Sequence, residues 1–327
     1  MEKILVTGAT GYIGTKIVLQ LADSGYFVHA LYRSLSKTSD LKHPNIRLFE
    51  GDILNVQKLE KAMESCTGVF HIAAFAKASS IDKDIFYRVN YTGTLNVLDT
   101  ALKYNIKKVI FTSTAGVYGP STSEIINEQT KRTVEFFFEY EKTKWLAEEK
   151  IKEYVQKGLN VIVVNPTRVY GPGLISESNA LTKMIKSYYE GKWHTIPGDG
   201  NTIANYVFIE DVVNGHINAY LKGIAGEKYI LGGENISYIT FFKTIQEVSG
   251  KNYFLVKIPR LLMLFFAQIL KIVSLFSGKP PLITPALVNK FVTDAELSSE
   301  KAEKELDYKI TGIKEGISKT IQWLNNK

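Results

Sequence analysis

Short apolar runs alternate with longer amphipathic stretches through the first half of the chain. The runs at residues 3–7, 27–32, 46–50, 68–72, 108–112 and 160–164 are nearly continuous in apolar side chains, the pattern of strands buried on both faces. Between them, residues 12–24, 55–65, 84–104 and 137–157 repeat apolar positions at helical spacing, as Ile17, Val18, Leu21 and Ala22 do. Strands alternating with helices predict an α/β fold with a parallel, doubly wound sheet. Such sheets bind ligands at the carboxyl ends of their strands. Thr7-Gly8, Arg33, Asp52, Ala73, Ser113/Thr114 and Pro166 all fall there, so one shared crevice is expected. After Pro172 the alternation weakens.

Two motifs give that crevice chemistry. Gly8-Ala9-Thr10-Gly11-Tyr12-Ile13-Gly14 joins the first strand to the first helix. The glycines let backbone approach a pyrophosphate, and the helix N-terminus offers it N–H groups and a positive dipole. The spacing is Gly-x-x-Gly-x-x-Gly, not the usual Gly-x-Gly-x-x-Gly. The second motif is Tyr140 with Lys144, four apart and so on one face of a helix. A neighbouring ammonium favours the phenolate, so Lys144 is expected to bring the Tyr140 pKa down toward working pH.

Together with Gly51-Asp52-Ile53, His71-Ile72-Ala73-Ala74, Asn90-Tyr91-Thr92-Gly93-Thr94, Phe111 to Gly119 and Asn165 to Pro172, these motifs resemble the extended short-chain dehydrogenase/reductase family over nearly the whole chain. The resemblance implies a Rossmann fold at residues 1–172, completed by about 205–222, and a smaller C-terminal α/β substrate domain from 173–204 and 223–327. It implies Tyr140 as general acid/base, Lys144 as its partner and a ligand of the nicotinamide ribose, and Thr114 as the hydroxyl that polarises the carbonyl, with Ser113 as the alternative. It places Gly8, Thr10, Gly11, Tyr12, Ile13, Gly14, Ile53, Ala73, Ala74 and Val169 around the cofactor, Asp52 beside adenine, and Pro166 and Thr167 near the carboxamide. Asn90 supports the site in relatives; a buried structural Asn is the competing reading. Asp52 would otherwise be the N-cap of the helix at 55–65.

The second strand ends Leu31-Tyr32-Arg33-Ser34, without the acid that normally holds the ribose hydroxyls of NAD. Arg33, with Lys37 nearby, is placed to pair with a 2′-phosphate, so NADP(H) is expected; NAD(H) beside a solvated arginine is the alternative. The blocks Val207 to His216 and Ser299 to Tyr308 resemble dihydroflavonol-reductase-like and 3β-hydroxysteroid-dehydrogenase-like members. The implied reaction is reversible carbonyl reduction on a bulky, mostly apolar small molecule. Redox-neutral epimerisation or dehydration of a nucleotide sugar with tightly held NAD is the alternative. Sugar-nucleotide enzymes usually carry an Arg just before the Val-Phe-Ile-Glu-Asp block, and this chain has Ala204-Asn205, although Arg168 or Lys192 could substitute.

Composition adds less. The 327 residues are 45% hydrophobic, enough for one large core or two small ones. Cys66 is the sole cysteine, which excludes an internal disulfide; no Cys/His cluster has metal-ligand spacing, and His71 closes an apolar strand, where a structural role is expected. The net charge of +7 is dispersed along helices, against a nucleic-acid partner. The first strand begins almost at Met1, leaving no room for a signal peptide, so a cytoplasmic or membrane-peripheral protein is expected. The apolar stretch 261–276 carries Gln268, Lys271 and Ser274 on one side of a helix. It reads as a lid over an apolar pocket, an interfacial membrane helix with Lys271 and Lys279 at the headgroups, or a packing helix. Helix 84–104 has apolar residues enough for a homodimer; a monomer fits equally.

Overall fold

The structure, a computed structural model, describes residues 2–122, 124–175, 179–277, 279–281 and 283–326. Its first strands and helices are β1 (Lys3–Thr7), α1 (Tyr12–Asp23), β2 (Phe27–Tyr32), β3 (Ile46–Glu50), α2 (Val56–Met63), β4 (Gly68–His71), α3 (Asp84–Tyr87), α4 (Gly93–Lys103), β5 (Lys108–Thr112), α5 (Glu139–Gln156) and β6 (Val161–Pro166). Then come β7 (Arg168–Tyr170), α6 (Ala180–Tyr189), β8 (Thr195–Pro197), β9 (Ile203–Phe208), α7 (Ile209–Lys222), β10 (Lys228–Leu231), β11 (Glu234–Ser237), α8 (Tyr238–Ser249), β12 (Val256–Ile258), α9 (Arg260–Ser277), α10 (Pro285–Phe291), α11 (Glu300–Leu306) and α12 (Ile313–Asn325).

Seven parallel strands form the main sheet in the order β10-β6-β5-β4-β1-β2-β3. This is the doubly wound α/β architecture, with two hydrophobic clusters, one on each side of the sheet. One holds Leu5, Val69 and Val109 under α2, α4 and α5; the other holds Ile4, Phe70 and Ile110 under α1 and α7. Adjacent residues of one strand thus pack into opposite layers, as the two-residue side-chain period requires. The order reverses between β1 and β4, which opens the crevice at that switch point. A smaller region carries the sheets β11-β9-β7 and β12-β8.

Two expectations are corrected. The last strand of the main sheet is β10, later than the 205–222 return read from the sequence; α7 packs on the sheet, but β9 pairs with β7 and β11. The stretch 84–104 is not one helix: Arg88–Thr92 form a π-helical turn between α3 and α4. Asn90 and Thr94 are both buried, and the Thr94 hydroxyl donates to the Asn90 carbonyl at 2.7 Å.

Candidate active site

The β1–α1 turn is built for close approach. Gly8 has φ +72°, and a Cβ there would lie 2.7 Å from the Ala73 nitrogen. A Cβ on Gly14 would lie 2.1 Å from the Gly8 carbonyl oxygen, so the turn closes only with glycine. Gly11 is the N-cap of α1 and makes no side-chain cap, so the first N–H groups of the helix remain open to an anion. Behind this turn the Thr7 hydroxyl meets His71 Nδ1 at 2.7 Å and His71 Nε2 meets Thr94 at 3.0 Å. Burial holds the His71 ring well below its ordinary pKa, so it stays neutral and structural.

A cleft of about 810 Å³ runs along the carboxyl ends of the strands. Gly8, Thr10, Gly11, Tyr12, Ile13 and Gly14 line it, as do Arg33, Asp52, Ile53, Ala73, Ala74, Ser113, Thr114, Tyr140, Pro166, Thr167 and Val169. At one end Arg33 pairs with Asp52 at 3.5 Å, and Lys37 stands beside them. Asp52 does not cap α2. It accepts from the Leu54 nitrogen at 2.9 Å, and Asn55 is the cap, accepting from the Lys58 nitrogen at 3.1 Å.

Asn90 is buried off the cleft. Its amide accepts from the Phe75 nitrogen at 2.7 Å and donates to the Phe75 carbonyl at 3.3 Å and the Thr143 hydroxyl at 3.1 Å. It therefore ties the Phe75 loop, one wall of the cleft, to the turn of α5 that precedes Lys144. All its polar capacity facing those partners is committed, which favours a positioning role over a direct contact with cofactor.

Tyr140 and Lys144 sit on one face of α5. Thr114 begins a 3₁₀ turn, its hydroxyl accepting from the Gly116 nitrogen at 3.2 Å, and lines the cleft together with Tyr140. Ser113, its neighbour, is buried with no hydrogen-bond partner for its hydroxyl. Lys144 is fully buried, its Nζ without a hydrogen-bond partner and 3.9 Å from the centroid of the Phe111 ring. Burial pushes Lys144 down to about 7, against the opposing pull of Glu148. Burial also raises the Tyr140 phenol above its ordinary value, Glu141 adds to that, and only the Thr114 hydroxyl opposes. The protein's own groups therefore do not bring the Tyr140 pKa down toward working pH, contrary to the expectation from sequence: desolvation is the largest effect on each and disfavours the charged form of both Tyr140 and Lys144.

The other end of the cleft is walled by Phe138, Leu174, Leu181, Met184, Leu287 and Phe291. Phe136 and Phe137 do not share the role of Phe138: Phe136 packs on Trp145 and under the Arg132 guanidinium. Two cations join this wall. Arg168 donates to the Tyr238 hydroxyl at 2.6 Å, and Lys290 of α10 binds Glu141. Both also line a smaller adjoining cavity of about 80 Å³. Lys290 was not foreseen; 149 residues separate it from Glu141, and no local pattern marks it. Among the described residues no group of His, Cys, Asp or Glu could hold a metal ion.

The residues present fit a dinucleotide. The glycine cradle has no room for side chains, the α1 N–H groups are uncapped, and the Lys144 ammonium is buried and unpartnered. Comparison with known proteins agrees. The model of the NAD dependent epimerase/dehydratase family matches residues 4–232. A putative dihydroflavonol 4-reductase of Synechocystis is 29% identical over 98% of this chain and 94% of its own length. The mouse sterol-4-alpha-carboxylate 3-dehydrogenase, decarboxylating, is 29% identical over 98% and 90%. The crystal structure of gox2253 superposes with a TM-score of 0.83 at 28% identity, covering 100% of this chain and 98% of that one. UDP-glucose 4-epimerase of Thermotoga maritima, at 24% identity and TM-score 0.82 over 99% of both chains, shares the fold. Glycine turn, strand order and sequence match converge: the chain belongs to the NAD-dependent epimerase/dehydratase family, within the extended short-chain dehydrogenase/reductases.

Proposed function

We propose that the protein is an NADP(H)-preferring oxidoreductase that interconverts a carbonyl and an alcohol on a bulky, largely apolar substrate. The observation that carries this reading is that Tyr140 and Thr114 both line one cleft, whose wall also includes six apolar side chains. The bound nicotinamide would supply or accept the hydride. Thr114, or the unpartnered Ser113, holds the substrate oxygen; Tyr140 gives it a proton in reduction and removes one in oxidation. Lys144, whose Nζ has no acceptor in the protein, would hold the hydroxyls of the nicotinamide ribose, and such acceptors would favour its charged form. The apolar wall excludes water from the reacting atoms.

Side-by-side titration of NADPH and NADH, followed by a panel of apolar ketones, tests the reading. NADPH is expected to bind the more tightly and to dissociate freely, and Arg33→Ser to cost about tenfold in NADPH affinity while leaving NADH nearly unchanged. A second reading, redox-neutral chemistry on a nucleotide sugar, is favoured by Arg168 and Lys290 on the substrate wall, where cations suit a diphosphate. Tightly retained NAD with weak NADPH binding and no net cofactor consumption would put that reading first.

A further inference from the structure

Helix α9 is the most apolar segment of the chain and one of the least covered. Ala267 is its only buried residue. Leu261, Phe265, Ile272, Leu275 and Phe276 are 81, 60, 56, 77 and 87% exposed. At 100° per residue these side chains, with Leu262, Phe266, Ile269 and Val273, cover half the circumference of the helix; the opposite side packs on α10. Core helices of comparable apolarity are buried, and this one is not.

The charge around it is one-sided. No Asp or Glu occurs between Glu247 and Asp294, and all 33 acidic residues fall outside that stretch. Within it Arg260, Lys271 and Lys279 are exposed, while Lys257 of β12 faces Asp199. An apolar helix face flanked by Arg260, Lys271 and Lys279, in a stretch of chain that carries no acidic residue, complements a surface that is apolar inside and negative at its rim, which is a bilayer containing anionic lipid. A second copy of this chain would bring the same cations to the face. The eighteen residues of α9 are long and apolar enough to cross a membrane, but one side packs on α10 and Lys271 is charged, so the helix is placed in the plane of the surface and not through it.

We propose that α9 docks the protein in the plane of an anionic membrane surface, with Leu261, Phe265, Leu275 and Phe276 in the acyl boundary and Arg260 and Lys271 among the headgroups. The consequence for the cleft follows from connectivity. Leu287 and Phe291 of α10, the helix against which α9 packs, form part of the apolar wall, and the Pro281 carbonyl beyond α9 accepts from the Ser79 hydroxyl, just past the cleft wall at Ala74–Ala78. Docking through α9 sets that wall at the lipid interface, so an apolar substrate reaches it from the membrane. This delivery role rests on the apolar-substrate reading above; the docking does not.

Co-sedimentation of the full chain with phosphatidylcholine vesicles, and with vesicles that also contain phosphatidylglycerol, tests the docking without any turnover. Pelleting with the anionic vesicles is expected. It should fall about fivefold for each of Arg260 and Lys271 changed to Gln. Phe265→Glu with Phe276→Glu should abolish it while quenching of protein fluorescence by NADPH or NADH stays unchanged. Failure to pellet, or equal pelleting of the Glu variant, overturns the proposal. So does a dimer in sedimentation velocity that Phe265→Glu splits, which would put a second copy on the face. Docking without reduction of any apolar ketone would uphold this inference and count only against the substrate class.

Discussion

Two buried charges on α5, one turn apart, are treated in opposite ways. Glu148 is buried and fully met: Lys228 pairs with one of its oxygens and the Asn165 amide donates to the other at 2.7 Å. Lys144 is equally buried and met by no hydrogen-bond acceptor, only by the face of Phe111. The first arrangement costs little and holds α5 to β6 and β10. The second costs stability, because an ammonium without acceptors is a desolvated cation. A fold tolerates such a group where a ligand supplies the acceptors, so the contrast separates a charge kept for architecture from one kept for chemistry.

The contrast can be broken at three points. Tyr140→Phe removes only the hydroxyl that the Lys144 site serves; turnover should fall by about a hundredfold to ten-thousandfold while NADPH titration is nearly unchanged, and retained turnover would overturn the role assigned to Tyr140. Glu148→Gln strikes the architectural charge, leaving Lys228 without its carboxylate. A loss of about 3 kcal/mol in denaturant unfolding is expected, toward the low end for a buried pair because Lys228 is partly exposed. Loss of Glu148 also removes the pull that raises Lys144, so the lysine should titrate lower still.

The smallest effect has the most telling sign. The unfolded chain keeps Lys144 protonated up to its ordinary 10.5, whereas the folded protein releases that proton at about 7. Between those values the unfolded state binds more protons, so this residue makes stability rise with pH across the window and fall as pH drops toward 7. Lys144→Met should therefore stabilise the cofactor-free protein at pH 7 by about 1–2 kcal/mol and flatten that slope. Thermal melts at pH 7 and pH 9 read it; a variant less stable than the parent would show that Lys144 is architectural after all.

Much of this was legible in the sequence. The six Rossmann strands were placed within two residues, five because buried strands read as nearly unbroken apolar runs; β3, at the sheet edge with Arg47 and Glu50 exposed, was legible only from its place in the alternation. The glycine turn was legible for a related reason: Gly8 and Gly14 occupy positions where any side chain would strike backbone. What stayed hidden depends on partners distant in the chain. The π turn at Arg88–Thr92 reflects Asn90 reaching Phe75 and Thr143, which helical periodicity cannot encode. Lys290 is an ordinary lysine until α10 brings it to Glu141. The direction of the Tyr140 shift was misjudged because spacing shows proximity but not desolvation, and here desolvation is the largest effect.

The placement of β10 carries a lesson about synthesis. The outermost strand beside β6 lies at Lys228–Leu231, after α6, β7, β8, β9 and α7 have all been made. On the ribosome β6 therefore waits with an open edge while much of the smaller region emerges, and the two regions must mature together rather than one after the other. A chain stopped at Pro172 would keep every residue of the glycine turn and the Tyr140/Lys144 pair. It would also expose the Val161–Pro166 edge, so it should aggregate rather than survive as a miniature cofactor-binding protein.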